Sequence, residues 1–556
     1  MLAALLGGLM NGLWRRWPRG MVLLPAQRVA VLSGWLAALA YTLLAGAGIP
    51  AVRTLLMLSV GALVHTLDRQ VAAPRILLLA LLAVLVFDPW AVLVVGFWLS
   101  FAAVAVLLFF AVPRSDADTR ADDTRADDTN EGLTTSTSGA AEEPSPRSGV
   151  VRRLRRWAAL LHQWTWAQWV VTLGSVPLVL SLFQALSLAS PLANAVAIPL
   201  VGLLIAPLSV AAALLPIPAL AEVAHGLLAA LMIPLEWLAA QPWALWQQAA
   251  PAGWTVALAV AGVLLHFLLH RRLWRIAALT LLVPIFFLPP ERPAPGEVWV
   301  DLLDVGQGLS AVVRTAERNL LFDAGPRYSA ELSAGERVVL PALQALGVNR
   351  LDGMVISHQD NDHAGGAAAV LDALPVGWLA GSLPADSPLL VGRQQQKTCV
   401  RGQSFDWDGV RFRFLSPPPD YYQRPGINPN RLSCVLSIET GSRRALLTGD
   451  AEASEEAAMQ TAGELSAIDV LQVAHHGSLS SSSAGFVAAT TPKWALFPVG
   501  YRNPFSHPQA EVIDRYRAAG AQILRTDLDG AIHVRLGPKL AVTTHRQVAP
   551  RYWHGR

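Results

Sequence analysis

Two long stretches, residues 1–112 and 157–290, are almost free of acids and are built largely of Leu, Ala, Val and Trp. This feature constrains the chain most, because an apolar run of about 20 residues reads as a membrane-spanning helix. Candidate spans lie at 29–48, 54–67, 76–88, 91–112, 166–187, 191–215, 223–240, 254–269 and 276–290. Several are short or interrupted by Pro191, Pro199, Pro207 or Pro234. Breaks of this kind are tolerated at membrane depth where neighbouring helices or a wet cavity satisfy the freed backbone. The competing interpretation, a buried soluble bundle, fits poorly with tryptophans at the ends of so many segments. Composition agrees: 53% of the 556 residues are hydrophobic and 15% charged, against about 25% charged in ordinary globular chains.

Basic residues orient the spans. They cluster at Arg15, Arg16, Arg19 and Arg28, at Arg69 and Arg75, at Arg152, Arg153, Arg155 and Arg156, and at Arg271, Arg272 and Arg275. Alternating spans put all four clusters on the cytoplasmic side, with Arg53 as the one discordant charge. The loop 241–253 then falls outside, and the last span exits outward. The expectation is a multi-pass inner-membrane protein with a periplasmic C-terminal domain. Met1–Leu13 is apolar but has no basic residues before it and no small-residue cleavage site, so it does not read as a signal peptide. Residues 113–156 break the apolar pattern. Thr119–Asp123 repeats at Thr124–Asp128, which predicts a disordered low-complexity cytoplasmic loop.

After Pro289–Pro295 the composition becomes that of a soluble domain, over 297–545. Strand patterns occupy Val298–Leu303, Leu309–Arg314, Asn319–Phe322, Met354–Ser357, Val410–Leu415, Ser433–Glu439, Ala445–Thr448, Val470–Val473 and Trp494–Pro498. Helix patterns occupy Pro341–Leu346, Ser454–Thr461 and Pro508–Ala519. Two groups of strands with accompanying helices suggest a layered αββα sandwich. The two cysteines, Cys399 and Cys434, are too few for a disulfide framework or a cysteine-rich zinc site, and their number does not fix the compartment.

Within this domain, His358, Asp360, Asp362 and His363 lie within six positions, just after an apolar strand and before Gly365 and Gly366. Imidazoles and carboxylates crowded into one loop call for a cation. Other strands also end in ligand-type residues. Asp304-Val305-Gly306-Gln307-Gly308 follows Trp299–Leu303, Thr448-Gly449-Asp450 follows Ala445–Leu447, and His475-His476-Gly477-Ser478 follows Val470–Val473. In layered α/β folds, that strand edge is where sites form.

These residues resemble the metallo-β-lactamase superfamily. The finer set resembles the ComEC family of DNA-uptake channel proteins: Asp304–Gly308, Leu321–Gly325, Asn430–Leu436, His507-Pro508 and Arg525–Asp527 with Gly530, following a membrane region that carries Phe97–Phe101 and Asn194–Pro207. The resemblance implies a polytopic α-helical membrane domain, a competence region in two parts (1–112 and 157–290), followed by a metallo-β-lactamase-like αββα sandwich. It implies a metal centre of His358, Asp360, Asp362, His363, Asp450 and His475 or His476, with Asp450 bridging two divalent ions. The choice between His475 and His476 stays open. Two ions about 3.5–4 Å apart activate water and neutralise a phosphodiester. Asp362 and His507 are the candidate catalytic residues, and Asp323, Ser478 and His507 are candidates for orienting the ligands. Asp360 stands where the superfamily pattern has histidine. The harder oxygen donor shifts preference toward Mn²⁺ or Mg²⁺, with Zn²⁺ still compatible.

The implied function is uptake of single-stranded DNA in transformation, with a phosphodiesterase domain that degrades the other strand. The implied partners are single-stranded DNA, the bilayer, a periplasmic DNA receptor, a separate cytoplasmic motor and further copies of the chain. No nucleotide-binding P-loop is present in the sequence. Gln184, Asn194 and His225 are polar groups within spans, and Arg393, Lys397, Arg401, Arg411, Arg413, Arg424 and Arg431 are candidate phosphate contacts. Family members carry further helices and an oligonucleotide-binding-type domain before the competence region, so the chain is expected to lack that part. Two other readings stay open: a membrane-tethered metallo-hydrolase acting on another phosphodiester or ester, and a non-transporting remnant.

Overall fold

The computed structural model describes residues 2–67, 71–108, 146–392, 395–441, 443–551 and 553–554. They form two compact units, Met1–Leu288 and Pro289–Arg556.

The first unit is helical. Helices Ala26–Leu44, Ile49–Thr66, Ser190–Leu214 and Pro218–Ala239 and the segment His162–Phe183 are long and apolar enough to cross a membrane. Leu2–Trp14, Ala73–Phe87, Val95–Val106 and Gly253–Leu268 are shorter apolar helices. Leu2–Trp14 packs on Ala26–Leu44, where a Cβ on Gly7 would lie 2.7 Å from the Ala30 carbonyl oxygen and one on Gly34 2.6 Å from that of Ala3. Small residues at both crossing points let the backbones touch, which is how apolar helices associate without a hydrophobic driving force.

Three expected spans differ. The segment 91–112 is broken: a short turn at Pro89–Leu93, capped by the Asp88 side chain, precedes the helix Val95–Val106. The segment 276–290 divides into Arg272–Ala278, Leu279–Leu282 and Val283–Phe287, with Pro284 entering where a helix must restart. The span 166–187 ends as a helix at Phe183, and Ala185–Ser187 pairs antiparallel with Leu245–Gln247 from the expected loop 241–253. The low-complexity segment 113–156 lies outside the described residues as far as 145. From Pro146 onward the chain is already helical, so the expected disorder does not extend to 156; the arginines at 152–156 are well tolerated in a helix.

The second unit is a two-sheet sandwich. One eight-stranded sheet runs in the order Gln396–Thr398, Leu379–Gly381, Gly353–Ile356, Asn319–Phe322, Ala311–Arg314, Val298–Leu302, Ile532–Leu536 and Ala541–Thr544. The seven-stranded sheet runs Ser404–Trp407, Val410–Ser416, Val435–Glu439, Arg444–Leu447, Val470–Gln472, Trp494–Phe497 and Gln522–Arg525. Alternate residues of both sheets, among them Val300, Leu320, Phe322, Phe412, Leu436 and Leu447, meet in a shared core. The opposite face of the first sheet (Leu321, Met354, Ile356) buries against helices Leu340–Ala345 and Ala367–Ala373. That of the second (Leu446, Leu471, Phe497) buries against Ala453–Thr461, Ala484–Thr490 and Ala510–Ala518. Three stacked apolar layers make the αββα sandwich that the sequence suggests.

The strands Gly353–Ile356, Arg444–Leu447 and Val470–Gln472 have parallel neighbours. Each releases its ligand-type residues at its C-terminal end. Cys399 and Cys434 are joined in a disulfide, a pairing that the sequence reading did not make.

Candidate metal centre

The loop after Gly353–Ile356 becomes a single helical turn, Asn361–Ala364. That turn sets Asp362 beside His363. Gly308 (φ 140°) passes under it so closely that a Cβ there would lie 2.3 Å from the Asp362 carbonyl oxygen. That oxygen accepts from Leu309 N at 3.1 Å. Asp450 follows Arg444–Leu447, and its backbone N–H donates to Ser433 Oγ at 3.1 Å. His475 (φ 49°, ψ 42°) and His476 (φ 55°, ψ 19°) are consecutive left-handed residues. Such strain persists only where the surroundings impose it; here His475 N donates to the Gly449 carbonyl at 3.1 Å and Ser478 N to the His475 carbonyl at 2.9 Å.

Donor atoms of Asp362, His363, Asp450 and His476 converge, all within 4.8 Å of one another. His363 Nε2 lies 3.1 Å from Asp450 Oδ1, 3.3 Å from His476 Nε2 and 3.9 Å from Asp362 Oδ2. His476 Nε2 lies 3.2 Å from Asp362 Oδ2 and 3.6 Å from Asp450 Oδ1. An ion about 2.0–2.1 Å from nitrogen and oxygen ligands separates them by about 3.3–3.4 Å in a tetrahedron. The observed separations scatter around that edge.

The outer nitrogens of both imidazoles are already engaged. His363 Nδ1 donates to Asp323 Oδ2 at 2.7 Å, and His476 Nδ1 to the Pro498 carbonyl at 2.7 Å. Each ring therefore turns its Nε2 lone pair inward. Asp450 Oδ1 is buried with no hydrogen-bond partner. The residues present thus fit a divalent ion.

Electrostatics point the same way. Burial opposes charge on Asp362, but the His476 hydrogen bond and the neighbouring imidazoles outweigh it and hold the carboxyl at about 2. Burial likewise works against Asp450, yet His363 and His476 hold it well below the usual carboxylate range. His363 is driven well above its ordinary value despite burial, by Asp450 and Asp323. The cluster is a buried site that demands positive charge, supplied by protons when nothing else is there.

Around this group stand the remaining candidates. His358 is fully buried, with Nδ1 3.0 Å from Ser357 Oγ and Nε2 3.5 Å from Asp360 Oδ2. Its Nε2 has no hydrogen-bond partner. Asp360 is partly exposed and lies outside the four-donor group. His475 Nε2 reaches Asp450 Oδ2 at 3.8 Å, so the two oxygens of Asp450 face different imidazoles. The His507 ring lies 6.1 Å from that of His475, and its Nδ1 is buried without a partner. Burial, then His476 and His475, lower its pKa. Asp304 stays out of the cluster; its Oδ1 accepts weakly from Gly306 N at 3.4 Å, and burial raises its pKa. Among the expected orienting groups, Asp323 does hold His363. Ser478 meets His475 only through its backbone N–H; the side chain at the ring is Ser480, whose Oγ lies 2.9 Å from Nδ1. Ser357 and Ser433 lie within sequence motifs but were not expected to orient the imidazoles, and Ser480 was missed altogether, since a serine shows its partner only once distant strands meet.

The expected phosphate-contact arginines are mostly occupied. Arg411, Arg413, Arg424 and Arg431 pair with Asp406, Glu464, Asp420 and Glu455. Arg401 Nε donates to the Leu415 carbonyl, and Lys397 lies over Trp378. Arg393 lies outside the described residues. Arg327 and Arg502 form no ion pair among the described residues. Arg327 lines a groove of about 600 Å³ with Gln359 and Asn361 of the metal loop, and Arg502 lies over the exposed ring of Tyr501.

Residues 1–273 match the family model "Competence protein", and residues 303–493 match "Metallo-beta-lactamase superfamily". The chain is 36% identical over 536 residues to competence protein ComA of Neisseria gonorrhoeae, covering 95% of this chain and 68% of that protein. The chain belongs to the competence protein family. A second member of this similarity group, the uncharacterized protein YcaI of Escherichia coli (strain K12), is 28% identical over 565 residues, 96% of this chain and 66% of that one. The competence-family chain thus spans about two thirds of the length of both relatives. Among solved structures, the metallo-beta-lactamase fold protein YhfI of Bacillus subtilis aligns with 43% of this chain and 99% of its own, at 12% identity and a TM-score of 0.31.

Proposed function

We propose that the chain is an inner-membrane component for uptake of one DNA strand, and that its C-terminal unit is a metal-dependent phosphodiesterase on the outer, periplasmic side. The observation that carries the catalytic half is the convergence of Asp362, His363, Asp450 and His476 within 4.8 Å. The name of the Neisseria relative supports the uptake half. The Cys399–Cys434 disulfide supports the outer placement, because disulfides persist in oxidising compartments.

In this reading Asp362, His363, Asp450 and His476 hold one divalent ion. The outward oxygen of Asp450, with His475, and the neighbouring His358–Asp360 pair frame room for a second. A bound divalent ion would supply an activated water and neutralise the phosphoryl oxygens. The rest is the work of the chain. Asp323 and the Pro498 carbonyl fix the tautomers of His363 and His476. Arg327 and Arg502 offer unpaired guanidinium groups to backbone phosphates. His507 stands at the edge of the cluster, where a proton can be delivered to a leaving oxygen. Single-stranded DNA, a periplasmic receptor, a separate motor and further copies of the chain are the partners this function calls for.

Purified full-length chain is expected to cleave DNA when Mn²⁺ or Zn²⁺ is added, and Asp450→Asn or Asp362→Ala to lose at least about a hundredfold in rate. Undiminished cleavage by Asp450→Asn would remove the metal-centre reading.

A further inference from the structure

Arg53 sits in the helix Ile49–Thr66, whose only other ionisable residue is His65. Leu56, Met57 and Val60, three, four and seven positions on, belong to the apolar cluster around Ala80, Val84, Phe97 and Phe101. Arg53 therefore shares the inward face of its helix. It is 8% exposed, and its Nε and Nη1 are buried with no hydrogen-bond partner. It forms no ion pair among the described residues. The one acid among the described residues through position 108 is Asp88, and its carboxylate is engaged in capping Trp90 N at 3.1 Å. The guanidinium lies against Gly96, where a Cβ would stand 3.4 Å from Nη2 and 3.8 Å from Nη1. Gly96 is the only residue of Val95–Val106 without a side chain, so the planar fork packs directly against that helix's backbone.

An uncompensated charge inside an apolar bundle is costly, and ionisable groups kept there mark ligand pathways. Arg53 is also the charge that disagrees with the positive-inside pattern, so topology does not account for it. A guanidinium presents paired N–H donors in a plane that matches two oxygens of a phosphate. In the proposed orientation, Arg53 lies near the outer end of its helix, where an incoming strand would first enter the bundle.

We propose that Arg53 is a phosphate contact for a nucleic-acid strand passing through the helical unit. This rests on the uptake reading above and adds to it a residue and a chemistry. The test uses full-length chain in phosphatidylcholine nanodiscs, with chelator present so that nothing is cleaved. Binding of a fluorescent oligodeoxythymidylate is titrated at several salt concentrations. Arg53→Met is expected to weaken binding about tenfold and to lower the slope of log affinity against log salt by about 0.7, while Arg53→Lys keeps the slope. A methylphosphonate oligomer, with no backbone charge, should bind wild type and Arg53→Met alike. Removing an orphan charge should also raise the thermal midpoint of Arg53→Met. Wild-type binding with an unchanged affinity and slope in Arg53→Met would overturn this inference alone, as would a lowered midpoint, which marks a structural arginine. A wild-type midpoint that rises with phosphatidylglycerol nanodiscs but not with the oligomer would assign the site to a lipid headgroup and overturn it too. Wild-type chain that binds no oligomer would overturn the uptake reading together with this one.

Discussion

Three hydrogen bonds converge on the fully buried Asp323: from Ser357 N at 2.6 Å, Ser357 Oγ at 2.7 Å and His363 Nδ1 at 2.7 Å. Its left-handed backbone (φ 56°) turns the carboxylate back into the layer beneath the cluster. Asp323→Asn keeps the shape but offers one oxygen where two are in use. Metal affinity is expected to fall about 10–100-fold, read by competition with a metal-sensitive dye. The residue was visible in the sequence as part of Leu321–Gly325, and so were His358 to His363, because ligand types crowded at one spacing are rare by chance. The division of labour between His475 and His476 was not visible. It depends on two consecutive left-handed residues that put neighbouring imidazoles on opposite oxygens of Asp450, and nothing in a His-His-Gly sequence announces that.

Elements show the same split between local and distant information. Interior strands such as Asn319–Phe322 and Val470–Gln472 are fully buried apolar runs and were legible. Gln396–Thr398 and Ser404–Trp407 are edge strands with exposed positions, so their composition carries little pattern, and they were missed. So were Ile532–Leu536 and Ala541–Thr544, although Asp529-Gly530 and Gly537-Pro538 mark turns before them, because exposed and polar positions dilute their apolar pattern. Asp469 illustrates how elements are pinned. It accepts from Arg444 N at 3.0 Å, Arg443 Nη1 at 2.9 Å and Lys493 Nζ at 2.7 Å, tying three neighbouring strand starts. Burial pushes its carboxyl up, but Lys493, the Arg444 amide and Arg443 outweigh that and lower it below 3.8. A lowered carboxyl stabilises above its unfolded value and loses that contribution as pH falls through the folded one. The chain is therefore expected to lose stability below about pH 4, and Asp469→Asn to flatten that part of the thermal-midpoint profile. Because its partner Lys493 is largely exposed, solvent screens the pair and the effect is about 1 kcal/mol or less.

At the scale of the molecule, the disulfide and the charge pattern make one prediction. A C-terminal alkaline phosphatase fusion should be active and a C-terminal green fluorescent protein fusion dark, as for a periplasmic end. Reduction of Cys399–Cys434, which closes a loop of 35 residues, should destabilise the C-terminal unit by about 3–4 kcal/mol on the chain-entropy view, measured as a lower midpoint in reductant. The division into an apolar helical part and a layered soluble part was legible because composition changes so sharply after residue 290. The breaks at Pro89–Leu93 and Leu279–Leu282 were not, since hydropathy does not record where a helix changes pitch. One pairing carries a consequence for how the protein is made. Val298–Leu302, the first strand of the sandwich, finds one of its two neighbours only in Ile532–Leu536, close to the end of the chain. A ribosome delivers these partners far apart in time, so the first sheet stays open through most of synthesis. Until those strands arrive, the candidate metal centre lacks a closed scaffold, and a half-made chain does not yet hold its four donors in place.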